Sequence, residues 1–154
     1  MEKLHIDRKA SDNKYLHKDF HVSADCGLIY VGENYGYEGV VAYLTEYALN
    51  FYKLIAKEVR EKGLSVLENR FKEIYEKEEW SEYLHTTLTE NKLTIKIDKC
   101  PAITYMLSVG HTPSPWYKQL TYTVYSVLAQ MCGLNFTVIS YNEEDGKAEF
   151  IFEK

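Results

Sequence analysis

The spacing of apolar side chains changes its period along the chain, and this change most constrains the fold. From Asn13 to Glu79 apolar residues recur every three or four positions, as in amphipathic helices. Over 83–99 and again over 134–152 they alternate every second position, as in strands that bury one face. The pattern therefore predicts helices, a hairpin, a further helical segment and a second hairpin.

Glycine and proline divide the helical regions. Gly36 and Gly63 follow periodic segments and predict helix ends, because glycine readily adopts the backbone that closes a helix. Pro101 and Pro115 predict helix starts, where a missing N–H costs nothing. A charged run from Glu68 to Glu79 predicts a solvated helix face. The predicted helices span 13–35, 37–62, 65–79, 102–109 and 115–131.

The two hairpins complete a single α+β domain. Their turns are predicted at Glu90-Asn91 and Asp145-Gly146, residue types that tight turns favour. We expect N-terminal helices packed with a four-stranded antiparallel sheet, made of two β-hairpins separated by a helical segment. This domain covers 13–154 and follows a short polar tail, 1–12. Hydrophobic residues form 45% of the 154-residue chain, which suffices for a core without cross-links.

The net charge, the hydropathy and the cysteines indicate which partners and which compartment to expect. The net charge is −5 and no basic block occurs, which argues against nucleic acid. No apolar run approaches the ~18 residues of a membrane helix. The N-terminus lacks the apolar core of a signal peptide, and the three cysteines lack paired spacing, so we expect reduced thiols in the cytoplasm. The expected partner is a small molecule, and a helical face could join two copies as a homodimer.

Two histidines face the apolar side of the first predicted helix. At ~100° per residue, His17 and His21 lie one turn apart and within the stripe that contains Ala24. Buried imidazoles need partners. The pair could therefore be core histidines bonded to the backbone, general acid–base groups or two ligands of a metal ion.

Cys100 is the second candidate for chemistry. It precedes Pro101 at a predicted helix start, where the helix dipole favours the thiolate. If Cys100 meets His17 and His21, the group could act as a nucleophile with an imidazole base, or hold zinc with one open position. Packing at a strand-to-helix turn is the third alternative. We expect no cofactor unless the zinc alternative holds. Cys26 and Cys132, within helical patterns, are predicted to be packed.

The tyrosines suggest where a cleft lies. Seven of the 14 fall between Tyr15 and Tyr52, on the first predicted helix pair, which predicts a polar, aromatic-lined cleft there. Glu38 follows the corner between those helices and could close one end of the cleft. His111, in a loop after the short helix, could border the same space.

Three short segments resemble one known family. They are Tyr15–His21, Tyr35–Glu38 and Lys99–Ala102. Over about 13–154 the chain is similar to the L-2-amino-thiazoline-4-carboxylic acid hydrolase-like family of small bacterial cytosolic proteins. The resemblance implies a small-molecule hydrolase that opens a cyclic amidine ring. The matching positions are His17, Asp19, His21, Glu38 and Cys100.

The resemblance and the residue chemistry combine into one hypothesis. Cys100 would attack the amidine carbon while His17 or His21 transfers protons. The remaining candidates would bind substrate; they are Asp19, Glu38, Tyr35 and His111. The alternative is a non-catalytic binding or sensing domain with a tyrosine-rich pocket.

Overall fold

The computed structural model describes residues 16–154, with side chains from Lys18 onward. Over this range it contains five α-helices, one short 3-10 helix (Ser81–Tyr83) and four strands. The helices are α1 (Leu16–Phe51), α2 (Lys53–Lys62), α3 (Ser65–Lys77), α4 (Pro101–Ser108) and α5 (Gln119–Cys132). The strands are β1 (Leu84–Leu88), β2 (Lys92–Ile97), β3 (Asn135–Tyr141) and β4 (Ala148–Glu153). The predicted α+β class is confirmed.

The strands form one antiparallel sheet in the order β1-β2-β4-β3. Both predicted hairpins are present, and they are joined through their second strands, β2 and β4. Leu93 pairs with Phe152 and Ile95 with Phe150 across this junction. All four side chains are fully buried. The alternation read from the sequence therefore fixes which sheet face meets the helices.

Gly36 divides α1 into two arms. Its backbone, at φ 68° and ψ −166°, leaves the helical region in a conformation that glycine adopts most easily. Leu28 of the first arm (16–35) and Leu44 of the second arm (37–51) line the same groove. The chain therefore turns back on itself at the predicted break. A further interruption at Tyr52 separates the second arm from α2, within the predicted helix 37–62.

The core consists of two clusters that share α5. One lies between the sheet and α2, α3 and α5, and includes Phe71, Phe150 and Leu128. The other lies between the arms of α1, α4 and α5, and includes Leu44 and Met106. Each such side chain contributes about 1.5–3 kcal/mol on burial. No helix between residues 16 and 154 has the length and hydrophobicity that a membrane crossing requires.

Candidate functional site: a tyrosine-lined cavity beside Cys100

The first helix pair has a groove between its two arms, lined by Tyr43 and Tyr47 of the predicted tyrosines, while other predicted tyrosines lie outside it. Tyr35 is 67% exposed, and three neighbours on the two arms are at least half exposed: Tyr30, Tyr37 and Tyr43. The arms bury a different stripe, which includes Leu28 and Leu44, so these hydroxyls face solvent. Tyr15 lies outside the described residues.

A different set of tyrosines surrounds Cys100. Burial raises the pKa of each of four tyrosines, and the nearby Cys100 thiol adds to every shift. They come from α3, from the turn before α5, from α5 and from β3, and they are Tyr75, Tyr117, Tyr125 and Tyr141. The hydroxyls predicted for the interior therefore converge from distant parts of the chain.

Two of these hydroxyls belong to buried side chains yet have no hydrogen-bond partner between residues 18 and 154. Tyr75 is 5% exposed and Tyr117 is 7% exposed. Neither hydroxyl makes a hydrogen bond to any other described residue. Across residues 18–154, the one sealed side-chain N or O atom without a partner is Nε of Arg70. The tyrosine hydroxyls therefore reach open space rather than packed protein.

A cavity of about 110 Å³ lies at this place, and we call it the tyrosine cavity. Tyr117 and Tyr141 line it, and both belong to the group around Cys100. At its rim, Nζ of Lys118 lies 2.6 Å from Oε1 of Glu143. The remaining lining residues are Ile103, Pro113, Ser114 and Pro115. The site thus combines protonated hydroxyls with one cation and one anion.

The environment of Cys100 opposes the predicted thiolate. The thiol accepts hydrogen bonds from the backbone N–H groups of Ala102 and Ile103, as the helix start implied, and these lower its pKa. Burial has the larger effect and raises the pKa of Cys100 above its ordinary value. The negative charges of Glu78 and Asp145 raise it further. At neutral pH the protonated thiol is therefore favoured.

The β3–β4 turn holds Cys100 in place. The Cys100 N–H donates to the carbonyl of Asp145 at 2.9 Å. Gly146 has φ 70°, and a Cβ atom there would overlap the Cβ of Cys100. Only glycine fits both the backbone angle and the space, so this turn glycine also sets the position of the thiol.

His21 faces the interior, as predicted, but meets an acid rather than the thiol. Its Nε2 lies 3.0 Å from Oε1 of Glu78, which is 3% exposed. The predicted solvated face is therefore wrong at Glu78, whose burial is offset by this hydrogen bond. The charge of Glu78 also reaches Cys100. The His17 side chain lies outside the described residues, so its meeting with Cys100 stays a prediction.

A second buried acid has no counterpart in the sequence predictions. Asp25 is completely buried on the first arm. Its Oδ2 lies 2.7 Å from Nε2 of His111 and accepts the Ser114 N–H at 2.9 Å, while its Oδ1 accepts the Ser114 hydroxyl at 2.6 Å. His111 thus contacts the buried Asp25, and Ser114 lines the tyrosine cavity. Asp25 therefore anchors the loop that forms one wall of the cavity.

The other predicted substrate-binding residues lie elsewhere. Asp19 is exposed and accepts a hydrogen bond from the Tyr105 hydroxyl at 2.8 Å. Tyr35 and Glu38 are exposed at the Gly36 corner, and neither lines the tyrosine cavity. Cys26 was predicted to be packed but is exposed, whereas Cys132 is buried as predicted.

The zinc alternative is not decided by these positions. Among the residues with described side chains, no group of three or more His, Cys, Asp or Glu could hold a metal ion. The proposed set of His17, His21 and Cys100 includes one side chain outside that range. It therefore stays a prediction.

Comparison with protein-family models, with curated proteins and with solved structures found no match. The resemblance to the aminothiazoline-carboxylate hydrolases thus remains an expectation from the three short segments.

Proposed function

We propose that this protein binds a small polar molecule in the tyrosine cavity. The observation that carries the proposal is Tyr117, a buried residue that lines the cavity and whose hydroxyl has no hydrogen-bond partner among the described residues. A polar group left unmatched in a folded protein is costly unless it reaches water or a ligand. An oxygen or nitrogen atom of a ligand would take the place of water as the partner of this hydroxyl. The hydrogen bond would fix the orientation of the ligand.

The cavity supports a ligand with both acceptor and donor groups. Because burial raises the pKa of Tyr117 and Tyr141, both hydroxyls stay protonated at neutral pH and can donate hydrogen bonds. Lys118 could bind an anionic group and Glu143 a cationic one, at the cost of their mutual ion pair. The cyclic amidine carboxylate implied by the family resemblance has this composition, so it is the first compound to test.

Binding should weaken about 5- to 10-fold when Tyr117 is replaced by phenylalanine, since one hydrogen bond is lost while the ring is kept. The measurement is calorimetric titration with 2-aminothiazoline-4-carboxylate. Tyr30→Phe is the matched control, because Tyr30 is 63% exposed on the first arm, outside the cavity. Equal affinities of the Tyr117→Phe and Tyr30→Phe variants would contradict binding in the tyrosine cavity.

Hydrolysis is the second candidate function. It is favoured by the position of Cys100 at the start of α4, where the thiol accepts hydrogen bonds from the N–H groups of Ala102 and Ile103 that lower its pKa. In this scheme His17 or His21 transfers the protons, as the sequence predicts, and His21 is bonded to Glu78. The thiol would attack the amidine carbon after losing its proton, the bond from that carbon to the ring heteroatom would break, and the proton would go to the departing heteroatom. Water would then attack the same carbon, break its bond to the Cys100 sulfur and return a proton to the thiol.

Thiol labelling separates the two candidates. Near neutral pH we expect iodoacetamide to modify exposed Cys26 first, with Cys100 and Cys132 slower, because burial raises both pKa values, that of Cys132 to about 11. A higher pKa leaves less thiolate at a given pH, so the rate falls. Peptide mapping by mass spectrometry gives the order. If Cys100 instead reacts fastest and the amidine carboxylate protects it, the hydrolase is the better assignment.

A further inference from the structure

One ion pair supplies the charge that lines the tyrosine cavity. Nζ of Lys118 lies 2.6 Å from Oε1 of Glu143, and both residues line the cavity. Burial raises the pKa of the two lining tyrosines, so they stay neutral at neutral pH. Any preference of the cavity for charged ligands therefore depends on this pair. The other six lining residues carry no charge and are Ile103, Pro113, Ser114, Pro115, Tyr117 and Tyr141.

A further carboxylate lies close to the cavity but already has its partners. Asp25 is completely buried behind the loop that forms one wall. It accepts two hydrogen bonds from Ser114 and contacts Nε2 of His111 at 2.7 Å. Ser114 lines the cavity and Asp25 does not. A ligand in the cavity therefore cannot pair directly with the Asp25 carboxylate.

The ion pair joins two cavity walls that other contacts hold in place. Lys118 belongs to the wall that Asp25 anchors to the first arm. Glu143 lies in the β3–β4 turn, where the Asp145 carbonyl accepts the N–H of Cys100 at 2.9 Å. Because each wall has its own anchor, either charged side chain can turn toward a ligand while the walls stay in place.

The pair is also open to exchange with a ligand. The Lys118 side chain is 36% exposed and the Glu143 side chain 57%, and ion pairs at such positions contribute little to stability. A ligand carboxylate that reaches Lys118 also comes close to the Glu143 carboxylate, which repels it. A ligand cation at Glu143 is repelled by Lys118 for the same reason. A ligand with both charges can pair with both side chains.

We propose that Lys118 and Glu143 make the tyrosine cavity selective for compact zwitterions, molecules with a cationic nitrogen and a carboxylate only a few bonds apart. The proposal rests on the proposed function, because it names the class of ligand that the same cavity takes. Hydrogen bonds from Tyr117 and Tyr141 are available to every polar ligand and contribute to the affinity of all of them. The ion pair determines the choice among ligands, because a singly charged ligand leaves one side chain facing a like charge.

The test compares three small ring compounds by calorimetric titration of the full chain. The zwitterion is 2-aminothiazoline-4-carboxylate, the cation is 2-aminothiazoline and the anion is thiazole-4-carboxylate. We expect the zwitterion to bind at least about threefold more tightly than either singly charged compound. Binding of none of the three would overturn the proposed function and the selectivity together. Equal binding of all three would overturn the selectivity alone.

Two variants assign the selectivity to the ion pair. Glu143→Gln should weaken binding of the zwitterion about threefold and strengthen binding of the anion about threefold, because the repelling carboxylate is removed. Lys118→Gln should weaken binding of the zwitterion and strengthen binding of the cation to a similar extent. A structural role of either residue would instead change all three affinities by the same factor. That result would overturn the proposal.

An ion pair on α2 provides the matched controls. Nζ of Lys62 lies 2.7 Å from Oε1 of Glu58, and neither residue lines the cavity. Glu58→Gln and Lys62→Gln make the same changes in net charge, and they should leave the ratios among the three affinities within about twofold of the parent values. A change of these ratios as large as that caused by Glu143→Gln would mean that the net charge of the protein selects the ligand. It would overturn the role of the cavity pair.

Discussion

Replacing Asp25 with alanine should lower the free energy of unfolding by about 3–5 kcal/mol, because three hydrogen bonds to a fully buried side chain are lost together. The carboxylate is fully buried and bonded to His111 and to the backbone and hydroxyl of Ser114. Without it these groups remain in the interior and lose their partner. The loss is a large share of the roughly 5–15 kcal/mol that stabilises an ordinary domain. Urea unfolding followed by circular dichroism measures it.

Asp19→Ala is the control for this prediction. Asp19 lies on the same arm but is exposed, and it accepts a hydrogen bond from Tyr105. Its loss should cost about 1 kcal/mol or less. A similar cost for both substitutions would mean that the buried cluster contributes no more than a surface contact. The Asp25 variant should also bind ligand more weakly, because Ser114 forms part of the cavity wall.

The second large effect concerns two glycines on the first arm that should respond in opposite directions to alanine. At Gly32 a Cβ atom would overlap the indole ring of Trp116, so Gly32→Ala should destabilise the fold by about 1–3 kcal/mol or more. At Gly27 a Cβ atom meets nothing, and alanine favours the helix, so Gly27→Ala should stabilise by about 0.5–1 kcal/mol.

Thermal unfolding of the two variants beside the parent chain provides the measurement. The gain in helix propensity is the same for both alanine substitutions. The difference between the two melting temperatures therefore measures the contact with Trp116. A shift of both melting temperatures in the same direction would contradict the close packing of Trp116 on the first arm.

The period of the apolar residues predicted the order of helices and strands well, because each of these elements is determined by the spacing of residues that are close in sequence. The break at Gly36 and the alternation from Leu93 to Ile97 depend on neighbours a few residues away. The burial of Glu78 could not be predicted in the same manner. Glu76 and Glu79 beside it are exposed, and its partner His21 lies 57 positions earlier. Nothing local distinguishes the buried acid from its solvated neighbours.

Asp25 could have been found from the sequence. It follows His21 by four residues, one helical turn, on the face that both histidines were predicted to turn inward. An acid on an apolar helix face needs a partner, and His111 was already a candidate for the same cleft. The tyrosine cavity is a different case. Its lining residues Tyr117 and Tyr141 lie on separate elements, and only tertiary packing brings them to Cys100.

The pairing of β2 with β4 has a consequence for the order of folding. Ile97 pairs with Ala148 and Lys92 with Glu153, so this junction joins distant parts of the chain. During synthesis the β1–β2 hairpin exists well before β4 is made, and the edge of β2 stays open in the meantime. An open apolar strand edge invites pairing with other chains. Aggregation therefore competes most strongly with folding in the interval before β4 is synthesised. Slow folding should lower the yield of soluble protein without lowering the free energy of unfolding of the folded protein.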